Sequence, residues 1–392
     1  MKKLVCLLSL AFAFNVAAQK KLPAGFKHLQ IGEPAPAFDL PGVDGKRYTL
    51  ADFKQPKVLM VLFTGTHCPV SHGIEKRLQT LVEDMKGRDF EIVAINPNHA
   101  SGLRPDELGH TAYDETFEDS RRYAKDLGWT FPFLYDGNEQ VAARAYGCLA
   151  TPHVFIFDKE RKLRYNGRFD DSRYAELSTV KQHDARNAIE ALLADKKVPV
   201  EKTRPFGCST KWKERSEHVK AEAVKWKALP ATIEDIDAKA VAKLRRNGTD
   251  KVRLINVWAT YCGPCVQEFP DLTAIASKFS RRNFELITIS MDDKKDAAKA
   301  KRFLGKHRAV VSDRLRPSVE AEGRTTNNYR FSGARVDDLA EALDPKWPGS
   351  LPFSVLIDQQ GKVLYRVAGM VDRNVIIEKV LDTIGRHYRV KQ

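Results

Sequence analysis

Cysteine is scarce in this chain, with six residues in 392. So thin a set cannot serve as a disulfide scaffold, which needs dense cysteines in even number. Only one pair has C-x-x-C spacing, and a structural zinc site would need two further ligands at similar spacing. Long apolar runs are missing: Leu4 to Phe14 is too short to cross a bilayer, and no later stretch qualifies. Lys/Arg blocks interleaved with aromatics are missing too, so a net charge of +14 gives nucleic-acid binding little support. The charge reads instead as a solvated basic surface with some attraction for acidic partners or an anionic envelope. A chain that is 43% hydrophobic and 30% charged is not a disordered one, and its length suits two domains.

Lys2 and Lys3, the apolar Leu4 to Phe14 and the small residues Val16-Ala17-Ala18 compose a secretory signal peptide over residues 1–18. The mature protein is therefore expected in the periplasm or secreted. It keeps five cysteines, because Cys6 lies in the removed segment, and its net charge drops to +12 without the two lysines.

Cys262-Gly263-Pro264-Cys265 directly follows the apolar run Val252 to Trp258, which reads as a buried strand, and precedes an amphipathic stretch. Two cysteines at a strand-to-helix junction form a dithiol poised for disulfide exchange. The helix N-terminus lowers the first thiol's pKa, and the second is near enough to resolve a mixed disulfide.

The chain repeats this framework loosely. Lys57 to Phe63 leads to Cys68 as Val252 to Trp258 leads to Cys262, and each cysteine precedes a helix-period pattern. Strands follow at Phe90 to Ile95 and Phe284 to Ile289. Pro152, Asp158, Lys162 and Tyr165 answer Pro352, Asp358, Lys362 and Tyr365, and helices at about Ala175 to Ala194 and Asn374 to His387 close the two copies. The order implies an α/β protein of two domains, 26–200 and 233–392, each a central mixed β-sheet flanked by helices. Between them 201–232 is expected to be a Lys/Glu-rich linker carrying Cys208.

Both halves resemble thioredoxin-fold domains. The second resembles the TlpA-like disulfide reductases on Trp-Ala-Thr-Tyr-Cys-Gly-Pro-Cys, Glu268, Pro270 and Leu351-Pro352. The first resembles the redoxin branch (AhpC/TSA, peroxiredoxin-like) on Ile31-Gly32-Glu33-Pro34-Ala35-Pro36-Ala37-Phe38, Thr66-His67-Cys68-Pro69, Thr151-Pro152 and Gly167-Arg168-Phe169-Asp170-Asp171. The resemblance implies Cys262 as the attacking thiol and Cys265 as the buried resolving thiol. It also implies Glu268 as a carboxylate that moves the Cys265 proton, and Pro352, with Pro152 at the equivalent position, as cis-prolines facing the cysteines. Asn256 stands where thioredoxin proper has a buried aspartate. Thr325 to Pro348 is read as an insertion that either shapes partner choice or covers the core.

The first site departs from its relatives. Cys68-Pro69-Val70-Ser71 has serine where a resolving cysteine would stand, so Cys68 can attack a disulfide or an oxidant but cannot finish exchange within its motif. The Pro-x-x-x-Thr-x-x-Cys pattern of peroxiredoxins is replaced by Val61 and Gly65. Cys148, Cys208 and transfer from Cys262/Cys265 remain open as ways to resolve Cys68; either lone cysteine is otherwise a buried, inert one. Arg168 is an anion-binding arginine or a surface charge.

The chain is expected to be an exported thiol–disulfide oxidoreductase whose dithiol is coupled to the single-thiol Cys68 domain, with a peroxide-reducing role for the latter. It would need no metal or cofactor beyond its own redox-active disulfide. Its partners would be protein thiols and disulfides, peroxides, and an upstream membrane or periplasmic reductant. In the alternative, the first domain is redox-inactive and holds a client, or a copper ion through His67, Cys68, His72 and His153, and only the second domain is catalytic.

Overall fold

Every residue from Val58 to Phe63 is apolar and fully buried, and the same holds, polar Arg253 and Asn256 apart, from Val252 to Trp258. Such continuous runs belong in the middle of sheets covered on both faces. The computed structural model describes residues 22–390 and places both runs that way. The expected signal peptide and Cys6 lie outside the described residues.

In the first domain a hairpin of β1 (Asp39–Pro41) and β2 (Arg47–Thr49) precedes β3 (Val58–Phe63). There follow α1 (Pro69–Asp84), β4 (Phe90–Asn96), α2 (Phe117–Asp126), β5 (Phe133–Tyr135), α3 (Val141–Tyr146), β6 (Ala150–Thr151), β7 (His153–Phe157), β8 (Leu163–Gly167) and α4 (Asp184–Leu193). The sheet order is β5-β4-β3-β7-β8; β3, β4 and β5 run parallel, and β7 and β8 antiparallel. Alternation along β3 divides two cores. Val58, Met60 and Leu62 meet Ile74 and Leu78 of α1 and Ala188 of α4, while Leu59, Val61 and Phe63 meet Ala142 and Tyr146 of α3.

The connector then contributes β9 (Cys208–Ser209) and α5 (Ser216–Lys227). The second domain comprises β10 (Glu234–Ile236), α6 (Ala238–Arg246), β11 (Val252–Trp258), α7 (Gly263–Lys278), β12 (Phe284–Ser290), α8 (Ala297–His307), α9 (Arg316–Ala321), β13 (Asn328–Phe331), α10 (Val336–Leu343), β14 (Phe353–Ile357), β15 (Val363–Ala368) and α11 (Arg373–Ile384). Its sheet order is β10-β13-β12-β11-β14-β15; β10 to β13 run parallel, and β14 is antiparallel to both of its neighbours, β11 and β15.

Four expectations need correction. The helix expected from Ala175 becomes regular only at Asp184, because the Asp171 carboxylate takes the N–H groups of Lys181 (2.8 Å) and Gln182 (3.1 Å), which competes with helix formation. The last helix ends at Ile384, before Gly385 with φ +82°. The segment 325–348 is no appended insertion: it supplies β13 inside the sheet, and Trp347 is buried on Phe353 at 5.3 Å between ring centres. Finally, residues 201–215 are not a free linker. Glu201 O accepts from Asn166 N (3.0 Å), β9 pairs with β6, and Trp212 packs on the first core.

The two domains touch along α7. Lys278 Nζ lies 3.5 Å from Asp114, and Arg282 donates to Gly109 O (2.6 Å) and to Ile384 O and Gly385 O (3.0 and 2.8 Å). One guanidinium thus binds the first domain to the end of α11. Arg282→Ala leaves these carbonyls without their donor, at about 1–3 kcal/mol for each buried group unpaired. The expected outcome is a larger radius in solution scattering and faster proteolysis around α5, with the circular dichroism spectrum unchanged.

Candidate active site

Each sheet delivers one cysteine to the N-terminus of a helix. At the end of β11, Cys262 is the N-cap of α7 with extended backbone (φ −89°, ψ 105°), and its sulfur accepts from Cys265 N at 3.2 Å. The helix starts with Gly263 and Pro264; a proline costs no hydrogen bond there. Cys262 and Cys265 are joined as a disulfide. Cys265 is fully buried and Cys262 is partly exposed.

One turn beyond Cys265, Glu268 is fully buried too. Its carboxylate accepts from Asn256 Nδ2 (2.8 Å) and Val371 N (2.9 Å), and Asn256 also donates to Ser354 Oγ (2.9 Å). Burial raises the Glu268 pKa above the ordinary value, against the lowering effect of those two donors. A carboxyl poised this way can take up or return a proton beside the dithiol. Leu351–Pro352 is a cis peptide bond at the start of β14, and Pro352 O accepts from Gly369 N (2.8 Å). Tyr261 and Met370, 69% and 48% exposed, leave apolar surface around the disulfide.

In the first domain Cys68 is the N-cap of α1, again in extended backbone and followed by proline. Unlike Cys262 it is fully buried. Its sulfur lies 2.9 Å from Thr151 O, a contact that suits the thiol, and 3.4 Å from Cys208 N, which suits the thiolate. Burial opposes the thiolate. The Cys208 thiol, the His67 charge and the backbone N–H groups of Ser71 and Cys208 outweigh it, and hold the Cys68 pKa well below that of a free thiol. The Thr151–Pro152 bond is cis.

Behind Cys68 lies a buried polar network that sequence reasoning missed. Glu115, fully buried, accepts from His67 N (2.9 Å) and Asn96 Nδ2 (2.6 Å), and its carboxylate also meets His67 Nδ1. The His67 charge keeps Glu115 below the usual carboxylate range despite burial. This network explains Gly65. A Cβ at that position would stand 2.3 Å from Asn98 Nδ2 and 2.7 Å from Glu115 Oε1. The space that a side chain at position 65 would need is occupied by a carboxylate and an amide. The one visible signal was that glycine; Glu115 sits 47 residues from Cys68, in an irregular polar loop with no periodicity to mark it. Thr66 Oγ1, His67 Nε2, Ser71 Oγ, His72 Nε2 and Thr151 Oγ1 are also buried near this cysteine without hydrogen-bond partners.

Other candidates are occupied elsewhere. The Cys148 thiol contacts Ala150 O (3.3 Å) and Thr210 Oγ1 (3.4 Å), and burial pushes its pKa up to about 12, so it neither faces Cys68 nor is set to attack it. Arg168 is paired with Asp184 at 2.8 Å, which corrects its reading as an anion site. His153 uses both ring nitrogens, on Leu149 N (3.3 Å) and Asn166 Oδ1 (2.7 Å), and burial lowers its pKa to about 4. His72 contacts Glu75 at 2.6 Å. Among the described residues no group of three or more His, Cys, Asp or Glu side chains is arranged to hold a metal ion.

The two sites lie toward opposite ends of α7. Cys262 caps its start, while Lys278 at its end meets Asp114, the neighbour of Glu115. Sixteen residues at 1.5 Å each make about 24 Å of helix, so the domain contact at Lys278 lies a full helix length from Cys262.

Glu115→Gln removes the carboxylate paired with His67, and with it the fixed placement of the imidazole that favours the Cys68 thiolate. The pH midpoint for iodoacetamide labelling of Cys68 is expected to rise by about one unit, or about 1.4 kcal/mol; an unchanged midpoint overturns this assignment.

Residues 31–166 match the model of the AhpC/TSA family, and residues 228–382 match that of the Redoxin family. Thiol-disulfide oxidoreductase ResA of Bacillus cereus is 24% identical over 161 residues, 41% of this chain and 83% of the relative. Thiol:disulfide interchange protein HelX of Rhodobacter capsulatus is 24% identical over 199 residues, 51% of this chain and 81% of the relative. Among solved structures, a hypothetical protein from Sinorhizobium meliloti is 35% identical over 47% of this chain and 96% of its own length, with a TM-score of 0.42.

Proposed function

We propose that this chain, which belongs through its first half to the AhpC/TSA family and through its second to the Redoxin family and is a thiol–disulfide oxidoreductase, works outside the cytoplasm on protein disulfides through Cys262 and Cys265. The asymmetry of that pair carries the reading: Cys262 reaches solvent, whereas Cys265 is sealed beside a buried carboxyl.

In the reducing direction the Cys262 thiolate attacks one sulfur of a client disulfide, and the other client sulfur leaves as a thiolate that takes a proton. Glu268 then accepts the Cys265 proton. The new thiolate attacks Cys262 Sγ, expels the second client thiol and leaves the Cys262–Cys265 disulfide. Two electrons pass to the client, and a thiol reductant at the membrane or in the periplasm restores them. The exposed Tyr261 and Met370 offer apolar contacts to an unfolded client, and the cis-Pro352 loop offers backbone groups to its chain. Export rests on residues 1–18 as a signal peptide.

Cys68 is the second reactive centre. Its lowered pKa and the unpartnered buried hydroxyls and imidazoles around it favour a small polar oxidant such as a hydroperoxide. The dithiol would regenerate it. A client-holding or copper-holding first domain is the second reading. Complete burial of Cys68 is the observation that supports a redox-inactive first domain, while the engagement of both His153 nitrogens speaks against copper.

Cys262→Ala is expected to abolish insulin disulfide reduction, and Glu268→Gln to slow it by about 10²-fold at neutral pH. Cys68→Ser is expected to leave insulin reduction intact and to remove hydroperoxide consumption. If hydroperoxide consumption and trapping of protein partners both survive Cys68→Ser, the first domain is a binding module; copper retained by the purified wild type, and lost on changing Cys68, His67 and His72, would identify its ligand.

A further inference from the structure

The connector lies on the first domain as a partner chain would. Residues 208 and 209 run antiparallel to β6, with Cys208 opposite Thr151 and Ser209 opposite Ala150, immediately before the cis-Pro152 bond. Gly207 makes this approach possible: a Cβ there would stand 2.0 Å from Thr151 O, and its φ of +148° is one that side chains rarely adopt. The strand is held from both ends. Asn166 and Thr203 bond backbone to backbone at 3.1 Å on one side. On the other, Thr210 Oγ1 donates to Cys148 O (2.9 Å), Lys211 N to Asn98 Oδ1 (3.0 Å) and Lys211 Nζ to Glu107 (2.7 Å).

This register delivers the half-buried Cys208 onto Cys68. The Cys208 amide nitrogen is 3.4 Å from the Cys68 sulfur and donates to it. Cys148 is excluded by its contacts with Ala150 and Thr210. We infer that Cys68 and Cys208 form a second, intramolecular dithiol–disulfide couple, in which the connector strand sits on β6 as a resident substrate. The inference rests on Cys68 being a reactive thiol, as proposed above.

The electrostatics divide the two roles. Hydrogen bonding to Cys68 and burial raise the Cys208 pKa while that of Cys68 falls, so one proton is shared with the thiolate on Cys68. With a low-molecular-weight disulfide as oxidant, the Cys68 thiolate attacks one of its sulfurs and the other leaves as a thiolate, which takes the Cys208 proton. The Cys208 thiolate then attacks Cys68 Sγ and expels the second small thiolate, which is protonated from solvent. Two electrons leave the protein, one S–S bond forms and one breaks. While β9 occupies β6, no client strand can lie there. The couple is therefore closed to proteins until the connector lifts away, and its oxidant is a small molecule.

The test equilibrates the full chain in glutathione and glutathione disulfide mixtures, quenches it with acid and N-ethylmaleimide, digests it without reduction and identifies joined peptides by mass spectrometry. The expected result is a Cys68–Cys208 linked pair that grows as the mixture becomes oxidising, persists in Cys148→Ser and vanishes in Cys208→Ser. In Gly207→Ala, where the strand cannot seat, the linked pair is lost and Cys68 instead carries glutathione. Glutathionylated Cys68 in the wild type at every mixture, without bonding to Cys208, overturns the inference alone. Cys68 that takes neither glutathione nor a partner cysteine overturns the underlying reading as well. A Cys68–Cys148 pair would assign the role to the other thiol.

Discussion

A strand buried on both faces has no freedom of register, since a shift by one residue would turn its whole apolar set to the wrong side. β3 and β11 are such strands, and a short turn joins each to a helix whose N-cap is a cysteine. The position of both sulfurs is therefore set by core packing rather than by the loops around them. The strain-free start of each helix, with proline in its first turn, then fixes which backbone N–H groups face the sulfur. Both chemical centres depend on this junction, and their differences come from what the remaining elements bring to it.

Those differences are electrostatic. Around Cys265 the buried partner is an acid kept ready to bind a proton: Glu268, raised by burial and flanked by the neutral Asn256 and Ser354. Around Cys68 the buried acid is already committed. Glu115 is paired with His67, whose charge favours the thiolate on Cys68. The first arrangement suits a cycle in which protons come and go with each disulfide. The second suits a sulfur that stays ionised and waits for an electrophile. Two copies of one framework thus hold thiols in opposite states of readiness without any change in backbone plan.

The central strands and the cysteine-bearing helix starts were legible because continuous apolar runs and helical periods are written locally, and the matching residues 200 positions apart reinforced each other. The paired prolines at 152 and 352 could be placed for the same reason. Glu115 was not legible, since an irregular loop brings it back to His67 across 48 positions and only Gly65 betrays that something fills the space. The connector misled in a different way. Its Lys and Glu content reads as solvated chain, yet Lys211 and Glu107 are paired and mostly covered, and this interaction holds Glu107 down at about 2 against the cost of burial. Composition cannot distinguish a charge facing water from one facing its counter-ion.

The same limit applies to the contact between the domains, where adjacent residues serve different tasks. Asp114 meets Lys278 of the second domain, whereas Glu115 turns inward to His67. Burial of Lys278 lowers its pKa to about 8, so docking is disfavoured by its charge at neutral pH and gains as pH rises from about 8 toward 10.5, the value of the free amine. Movement of the loop that carries Asp114 would pull on the carboxylate that stands behind Cys68. The chain end adds a second link, since Tyr388 bridges to Tyr174 and lies within electrostatic reach of Cys68 and Cys208. Opening of this domain contact would disturb the walls of the first site. The environment that ionises Cys68 is in this way tied to one interface.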